Sequence, residues 1–172
     1  TGNLGESYVY RKPVSALIGE YLGPTLLLTA TAAVIAIVLG LWLGQLSAWR
    51  RNSLFDKLAS STALVFWSVP TFWLGLILLM VFGGTLQWLP TGGMITPGLG
   101  PWSPEAIIDV IRHLILPVIT LVAVVYAQFL MVMRASLIEE MSEDYLTTAR
   151  AKGLTEDEVR RRESVRQPFA LQ

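Results

Sequence analysis

The sequence contains no cysteine, only one histidine and few charged residues. Without cysteine the chain can form neither a disulfide framework nor a cysteine-ligated metal site, and one histidine provides no metal-binding cluster. Charged residues make up 15% of the chain, against about 25% in an average soluble domain. Thirteen basic residues are balanced by thirteen acidic ones, so the basic excess typical of a nucleic-acid-binding protein is missing. Hydrophobic residues reach 53%, which excludes intrinsic disorder.

Charge is absent from three long stretches of the 172 residues. These stretches cover residues 21–49, 58–104 and 113–133. A helix needs about 20 apolar residues to cross a hydrocarbon layer of about 30 Å, and Gly83-Gly84 and Pro90 interrupt the second stretch. We therefore predict an all-α membrane protein, a polytopic helical bundle within a transmembrane region at residues 23–134. The predicted transmembrane helices are at about residues 25–48, 58–82 and 114–133.

Lysine and arginine are distributed unequally between the segments that flank these spans. Ten of them follow the first and third spans, whereas the leader and the second connection carry three. Because cytoplasmic loops retain basic residues, we predict an extracytoplasmic leader at residues 1–22 and a cytoplasmic tail at residues 135–172. The chain has no signal-peptide pattern, begins at Thr1 and stops inside a charged segment. We expect it to be a fragment that continues into further C-terminal spans.

The leader ends in an amphipathic segment that starts at Pro13. Its apolar residues recur with helical spacing up to Leu22, and proline is favoured at a helix start. We predict a short interfacial helix along the outer membrane surface. The alternative is that this segment extends the first span.

The first span carries a stripe of small residues spaced by four. Small side chains let a second helix approach closely inside lipid, where no hydrophobic effect drives helices together. We predict helix packing at Ala36, Gly40 and Gly44, although an alanine-rich helix can also produce such spacing by chance. The whole stripe consists of Ala32, Ala36, Gly40, Gly44 and Ala48.

Polar residues inside the spans are candidates for a solute pathway. Pro70 removes a backbone donor and predicts a kink, whose freed carbonyl must be satisfied by a neighbour or a water-lined cavity. Ser68 and Thr71 flank it, and Gln128 lies in the third span. The alternative is a purely structural kink. Since no Asp, Glu, Lys or Arg occurs within the spans, the buried relay groups of an ion-coupled carrier are missing here.

The tail has the pattern of two helices joined at a glycine. Ser142 is suited to cap the first helix and Gly153 to end it, while Thr155 and Glu158 form a capping box for the second. We predict a cytoplasmic helix-Gly-helix coupling hairpin that docks a partner. The alternative is a pair of solvated helices without a partner.

Four short segments occur in order along the chain, ending with the tail segment from Asp144 to Leu154. The first three are Gly2-Asn3-Leu4-Gly5, Ser68-Val69-Pro70-Thr71-Phe72 and His113-Leu114-Ile115-Leu116-Pro117. In the order and spacing of these segments the chain resembles a known family, the dipeptide/oligopeptide-type permease subunits of bacterial and archaeal ABC importers. The tail segment is similar to that family's EAA loop, with Gly153 at the motif glycine. The resemblance assigns coupling to the ATPase to Asp144, Tyr145, Thr147, Thr148, Ala149, Arg150, Ala151, Lys152, Gly153 and Leu154.

The resemblance implies a permease fold of roughly six helices, of which this chain holds three, in the inner membrane of a bacterium or archaeon. It implies a second permease subunit, cytoplasmic ABC ATPase subunits and an extracytoplasmic solute-binding protein as partners, besides membrane lipid. Similar permeases handle dipeptides, oligopeptides, glutathione, nickel chelates and some sugars. The chain itself has no phosphate-binding loop, so we expect no cofactor and no enzymatic activity. The alternative function is a membrane-embedded scaffold whose tail docks a cytoplasmic protein.

Overall fold

The computed structural model describes residues 4–99 and 103–141, and its regular structure is helical. The helices are α1 (Val14–Trp49), α2 (Leu54–Ser68), α3 (Thr71–Leu78), which continues as a π-helical segment (Leu79–Thr85), and α4 (Pro104–Met141). Within those two ranges there is no β-strand, and the single bridge pairs Glu6 with Pro13. The prediction of an all-α membrane protein is confirmed.

Helix α1 includes the residues for which a separate interfacial helix was predicted. The helix is continuous over 36 residues and contains Pro24, so residues 14–22 extend the first span, the alternative that the sequence left open. Proline costs a helix one internal hydrogen bond, so the Glu20 carbonyl loses its usual helical donor at Pro24. One residue further on, the Tyr21 carbonyl accepts the Thr25 hydroxyl at 2.7 Å. At 1.5 Å per residue α1 is about 54 Å long, more than a bilayer core requires.

The second predicted span, residues 58–82, is divided at the predicted kink. Helix α2 ends at Ser68, α3 begins at Thr71, and their axes differ by 97°. The backbone ladder stops with the Val69 amide on the Val65 carbonyl and resumes with the amides of Trp73 and Leu74 on the Pro70 carbonyl. Pro70 therefore produces a break in the helix, which is a larger distortion than the kink that the sequence predicted.

Helix α4 is longer at both ends than the predicted third span. Ser103 caps it by accepting the Ala106 amide at 3.1 Å, and it continues to Met141 through Pro117. The absence of charged residues from 113–133 indicated where the helix is apolar. It did not indicate where the helix ends, because a helix can continue through charged residues. As a result, residues 135–141, which the sequence placed in the tail, belong to α4.

Helices α1 and α4 run parallel to each other. From Gly40 to Gly44, the facing residues on α4 advance from Tyr126 and Phe129 to Leu130 and Met133. Parallel neighbours require the intervening chain to return to the starting side. The segment from α2 to α3 makes this return, because its successive contacts on α4 run backwards along the sequence. These contacts join Asp56 with Arg134, Phe66 with Tyr126, and Gly75 with Thr120.

The packed centre of the described residues lies between α1, α2 and α4. It consists of Ala32, Ala36, Ala63, Val118, Val122, Tyr126, Ala127 and Leu130. Two helices, α1 and α4, are long and apolar enough to cross a membrane, and the bent α2–α3 pair makes a third if it is counted as one span. Because the α2–α3 segment runs back along α4 between two parallel helices, we count the bent pair as one span.

Candidate functional site

The small-residue stripe of α1 lies against α4. All five of its residues are buried. A Cβ atom built on Gly40 would lie 2.6 Å from the Tyr126 carbonyl oxygen, and one on Gly44 would lie 2.6 Å from the Leu130 carbonyl oxygen. Since normal contacts are 3.4–4 Å, these two positions accept only glycine at the observed helix separation. The stripe holds the first and last described helices in one register.

The break at Pro70 borders an open cleft of about 570 Å³. Because Pro70 has no N–H, the Phe66 carbonyl loses its usual helical donor, and polar backbone at membrane depth is tolerated where it is buried in protein or lines a water-filled cavity. The cleft is otherwise apolar. Its lining residues are Leu64, Val65, Ser68, Val69, Pro70 and Trp73.

The structure brings two of the four predicted pathway residues together. Ser68 and Pro70 line the same cleft, and the Ser68 hydroxyl donates to the Leu64 carbonyl at 2.9 Å. Thr71 begins α3 directly after the break. Gln128 is exposed on α4 and does not belong to the cleft lining. The cleft is therefore lined by residues from both sides of the break, and Gln128 is not one of its lining residues.

A buried ionic cluster lies where α1, α2 and α4 meet, and it was not predicted from the sequence. The Asp56 side chain is 3% exposed and Arg134 is 27% exposed. Arg134 Nε donates to Asp56 Oδ1 at 2.6 Å, and an Nη of the same guanidinium donates to Oδ2 at 2.8 Å. The Ser47 hydroxyl also donates to Oδ1, and the Asn52 amide donates to Oδ2 at 2.9 Å. We call these four residues the Asp56 cluster.

The Asp56 cluster was missed because its acid and base are 78 residues apart in sequence. Each lies just outside a predicted span, and basic residues there were used only to assign orientation. A usable signal was present, since Asp56 is the only acidic residue between Glu20 and Glu105. Asp56 lies at the border of one predicted span and Arg134 at the border of another. If both borders lie on the same side of the membrane, an ion pair between the two residues is predicted.

At the opposite end of α4, a second set of polar contacts holds the loop that precedes this helix against it. Asp109 accepts the Thr96 amide at 2.6 Å and the Thr96 hydroxyl at 3.0 Å. His113 Nδ1 lies 2.8 Å from the Asp109 carbonyl oxygen. His113 thus has a hydrogen-bond partner in its own helix, and residues 4–99 and 103–141 contain no group of three side chains that could hold a metal ion.

The residues predicted to couple to an ATPase lie outside the described ranges. They are Asp144, Tyr145, Thr147, Thr148, Ala149, Arg150, Ala151, Lys152, Gly153 and Leu154. Their role in coupling to an ATPase therefore stays a prediction from the sequence.

Comparison with known proteins identifies the class of the chain. Residues 36–167 match the family described as binding-protein-dependent transport system inner membrane component. Since this match covers most of the chain, the protein belongs to that family. The family consists of components of transport systems rather than of enzymes, as the sequence predicted.

Individual relatives carry names from the same class. A protein of Brucella suis biovar 1, named as a peptide permease protein, is 44% identical over 156 residues, which are 90% of this chain and 48% of the relative. The glutathione transport system permease protein of Escherichia coli K12 is 40% identical over 155 residues, 90% of this chain and 46% of the relative. The dipeptide transport system permease protein of Alkalihalophilus pseudofirmus is 38% identical over 167 residues, 89% and 50%. The chain spans about half the length of the curated relatives it matches.

Proposed function

We propose that this chain is half of a permease subunit of an ATP-driven importer that passes peptides or similar small solutes through the inner membrane of a bacterium. The observation that carries the proposal is the family match over residues 36–167. Names of the relatives refer to peptide, dipeptide and glutathione transport, which supports a peptide-like solute. The chain would line part of the translocation path and perform no covalent chemistry.

The proposed partners follow from the description of the family as binding-protein-dependent. A solute-binding protein would deliver the solute from outside, a second permease subunit would complete the path, and cytoplasmic ABC ATPase subunits would supply the energy. The tail from Asp144 to Leu154 would dock an ATPase subunit. With ten of the thirteen basic residues on the side of the α1–α2 turn and the tail, this side is assigned to the cytoplasm.

The cleft at Pro70 is the proposed section of the path within this half. A helix break leaves backbone carbonyls without helical donors, and such groups are tolerated at membrane depth where they line a cavity that admits water or solute. Ser68 and Pro70 lie in the cleft, and Thr71 starts the helix beyond it. Gln128 would contribute to the path only through surfaces formed by other spans.

The test uses the full-length protein, expressed with the proteins encoded beside it. We expect an affinity tag on the permease to co-purify an ABC ATPase, and peptide with the binding protein to stimulate ATP hydrolysis in nanodiscs. The control replaces the phosphate-loop lysine of the ATPase subunit, which should abolish both hydrolysis and peptide uptake while the complex is retained. Purification without any ATPase, together with unchanged peptide uptake after deletion of the gene, would favour the scaffold alternative.

A further inference from the structure

The Asp56 cluster joins four segments of the chain at one point. Ser47 lies in the last turns of α1, Asn52 in the α1–α2 turn, Asp56 in the first turn of α2 and Arg134 near the end of α4. The carboxylate can accept about four hydrogen bonds, and these three partner residues supply four. The Ser60 hydroxyl of α2 adds a longer donation to Oδ1 at 3.4 Å. Every acceptor site of Asp56 is therefore used, and Ser47, Asn52 and Arg134 each belong to a different segment.

The bond between Asp56 and Arg134 has a fixed geometry. The planar guanidinium meets both carboxylate oxygens in a two-point contact, which restricts rotation as well as distance. Asn52 has φ +64°, the left-handed region that asparagine tolerates better than most residues, and this conformation accompanies the donation of its amide to the carboxylate. The α1–α2 turn is thus shaped around the same pair.

The position of Arg134 connects this pair to the tail. Helix α4 is continuous from Arg134 to Met141, where the described part ends, and the predicted docking segment follows at Asp144. On the other side of the pair, α2 is continuous from Asp56 to Ser68, at the edge of the Pro70 cleft. Two rigid helices therefore meet at the Asp56–Arg134 pair, one leading to the tail and the other to the break.

We propose that Asp56 and Arg134 are positioning residues that transmit movement of the tail through α4 and α2 to the helix break at Pro70. This inference rests on the proposed function, since it requires an ATPase bound at the tail. A second contact between the same helices, the edge-on packing of Phe66 against Tyr126 with ring centroids 6.4 Å apart, lies nearer the break and keeps α2 aligned with α4. The Asp56–Arg134 pair restricts relative movement of α2 and α4 at the contact between these helices that is nearest to the tail.

The alternative is that the pair only holds the helices together, and a set of variants separates the two roles. Asp56→Asn and Arg134→Gln each leave one charge without its partner, so both single variants should lower the yield of assembled complex. The double variant, with Asp56→Asn and Arg134→Gln together, carries no unpaired charge and should recover the yield. It keeps only neutral hydrogen bonds, which are weaker and less directional than the ionic two-point contact.

The measurement is ATP hydrolysis by the full-length complex in nanodiscs, with and without peptide and binding protein. We expect the double variant to keep basal hydrolysis but to lose about fivefold or more of the stimulation, the lower end of typical coupling effects. Ser61→Ala, on the exposed face of α2, is the control and should retain full stimulation. Normal stimulation in the assembled double variant would overturn the proposal and leave the pair with a structural role.

A second variant decides the question if the double variant does not assemble. Arg134→Lys keeps the positive charge but replaces the two-point contact with a single rotatable ammonium. We expect an assembled complex whose stimulation is reduced, whereas unchanged stimulation would overturn the proposal. Failure of the proposed function looks different, because the unaltered protein would then show no peptide-stimulated hydrolysis at all.

Discussion

Because Gly40 contacts α4 closely, we expect Gly40→Ala to destabilise the protein, whereas glycine-to-alanine substitutions in helices usually stabilise it. Replacing a helical glycine by alanine normally stabilises a helix by about 1 kcal/mol. At Gly40 the new Cβ would lie 2.6 Å from the Tyr126 carbonyl oxygen and 2.6 Å from the Phe129 Cβ. A backbone carbonyl cannot rotate away, so α1 and α4 would have to separate to reach an ordinary contact of 3.4 Å or more.

Overpacking of this kind costs about 1–3 kcal/mol, which equals or exceeds the gain in helix propensity. We therefore expect Gly40→Ala to destabilise the full-length permease by up to about 2 kcal/mol. Gly19 lies in the same helix, and a Cβ there would meet nothing within 4 Å. Gly19→Ala should be neutral or stabilising by up to about 1 kcal/mol, so Gly40→Ala should unfold at a lower temperature than Gly19→Ala.

The assay is thermal unfolding of the purified full-length protein in detergent, followed by tryptophan fluorescence and by the fraction that stays monodisperse. A larger pair of substitutions extends the comparison: Gly40→Leu should abolish the yield of assembled protein, whereas Val38→Leu should not, since Val38 is 63% exposed. Equal unfolding temperatures for Gly40→Ala and Gly19→Ala, or equal yields for the two leucine variants, would refute the argument that α1 and α4 meet through the stripe.

Three further predictions concern orientation, the tail and the loop before α4. With cysteine introduced singly at the exposed positions Arg51 and Gly92, an impermeant maleimide should label intact cells at position 92 alone, and labelling at position 51 alone would reverse the orientation. Gly153→Val should leave membrane insertion intact but weaken ATPase association about tenfold, because a side chain opposes the left-handed conformation predicted at Gly153 by about 1–2 kcal/mol. Pull-down and peptide uptake measure this, and normal values for both would exclude a docking role for the predicted turn. Asp109→Ala removes both acceptors of Thr96, so amide hydrogen exchange at Thr96 should accelerate, and unchanged protection would mean that the loop is held by other contacts.

The sequence located the helices better than it located their ends. Charge-free stretches marked the apolar parts of α1 and α4, since hydrocarbon excludes charge in a way that is readable along the chain. They did not mark where helix stops, because a helix continues into water as long as its backbone is paired. Residues 14–22 and 135–141 therefore joined their helices in the structure.

The sequence shows where prolines lie but not how strongly each one distorts its helix. Pro24, Pro70 and Pro117 lie in or next to the long helices, and each removes one backbone donor. Pro24 and Pro117 are accommodated inside continuous helices, whereas Pro70 accompanies a bend of 97°. The lost hydrogen bond is the same in all three places, so the difference depends on packing around each residue, which local sequence does not contain.

The small-residue face of α1 and the Asp56–Arg134 pair differ in how much of each can be read from local sequence. The spacing of Ala36, Gly40 and Gly44 fixed a small-residue face on α1, because helical periodicity is a local property. That α4 covers this face in a parallel orientation depended on how α2 and α3 return the chain. The pairing of Asp56 with Arg134 likewise required two helix ends, 78 residues apart, to meet on one side. Contacts of that range arise only when the helices pack, and no periodicity in the sequence records them.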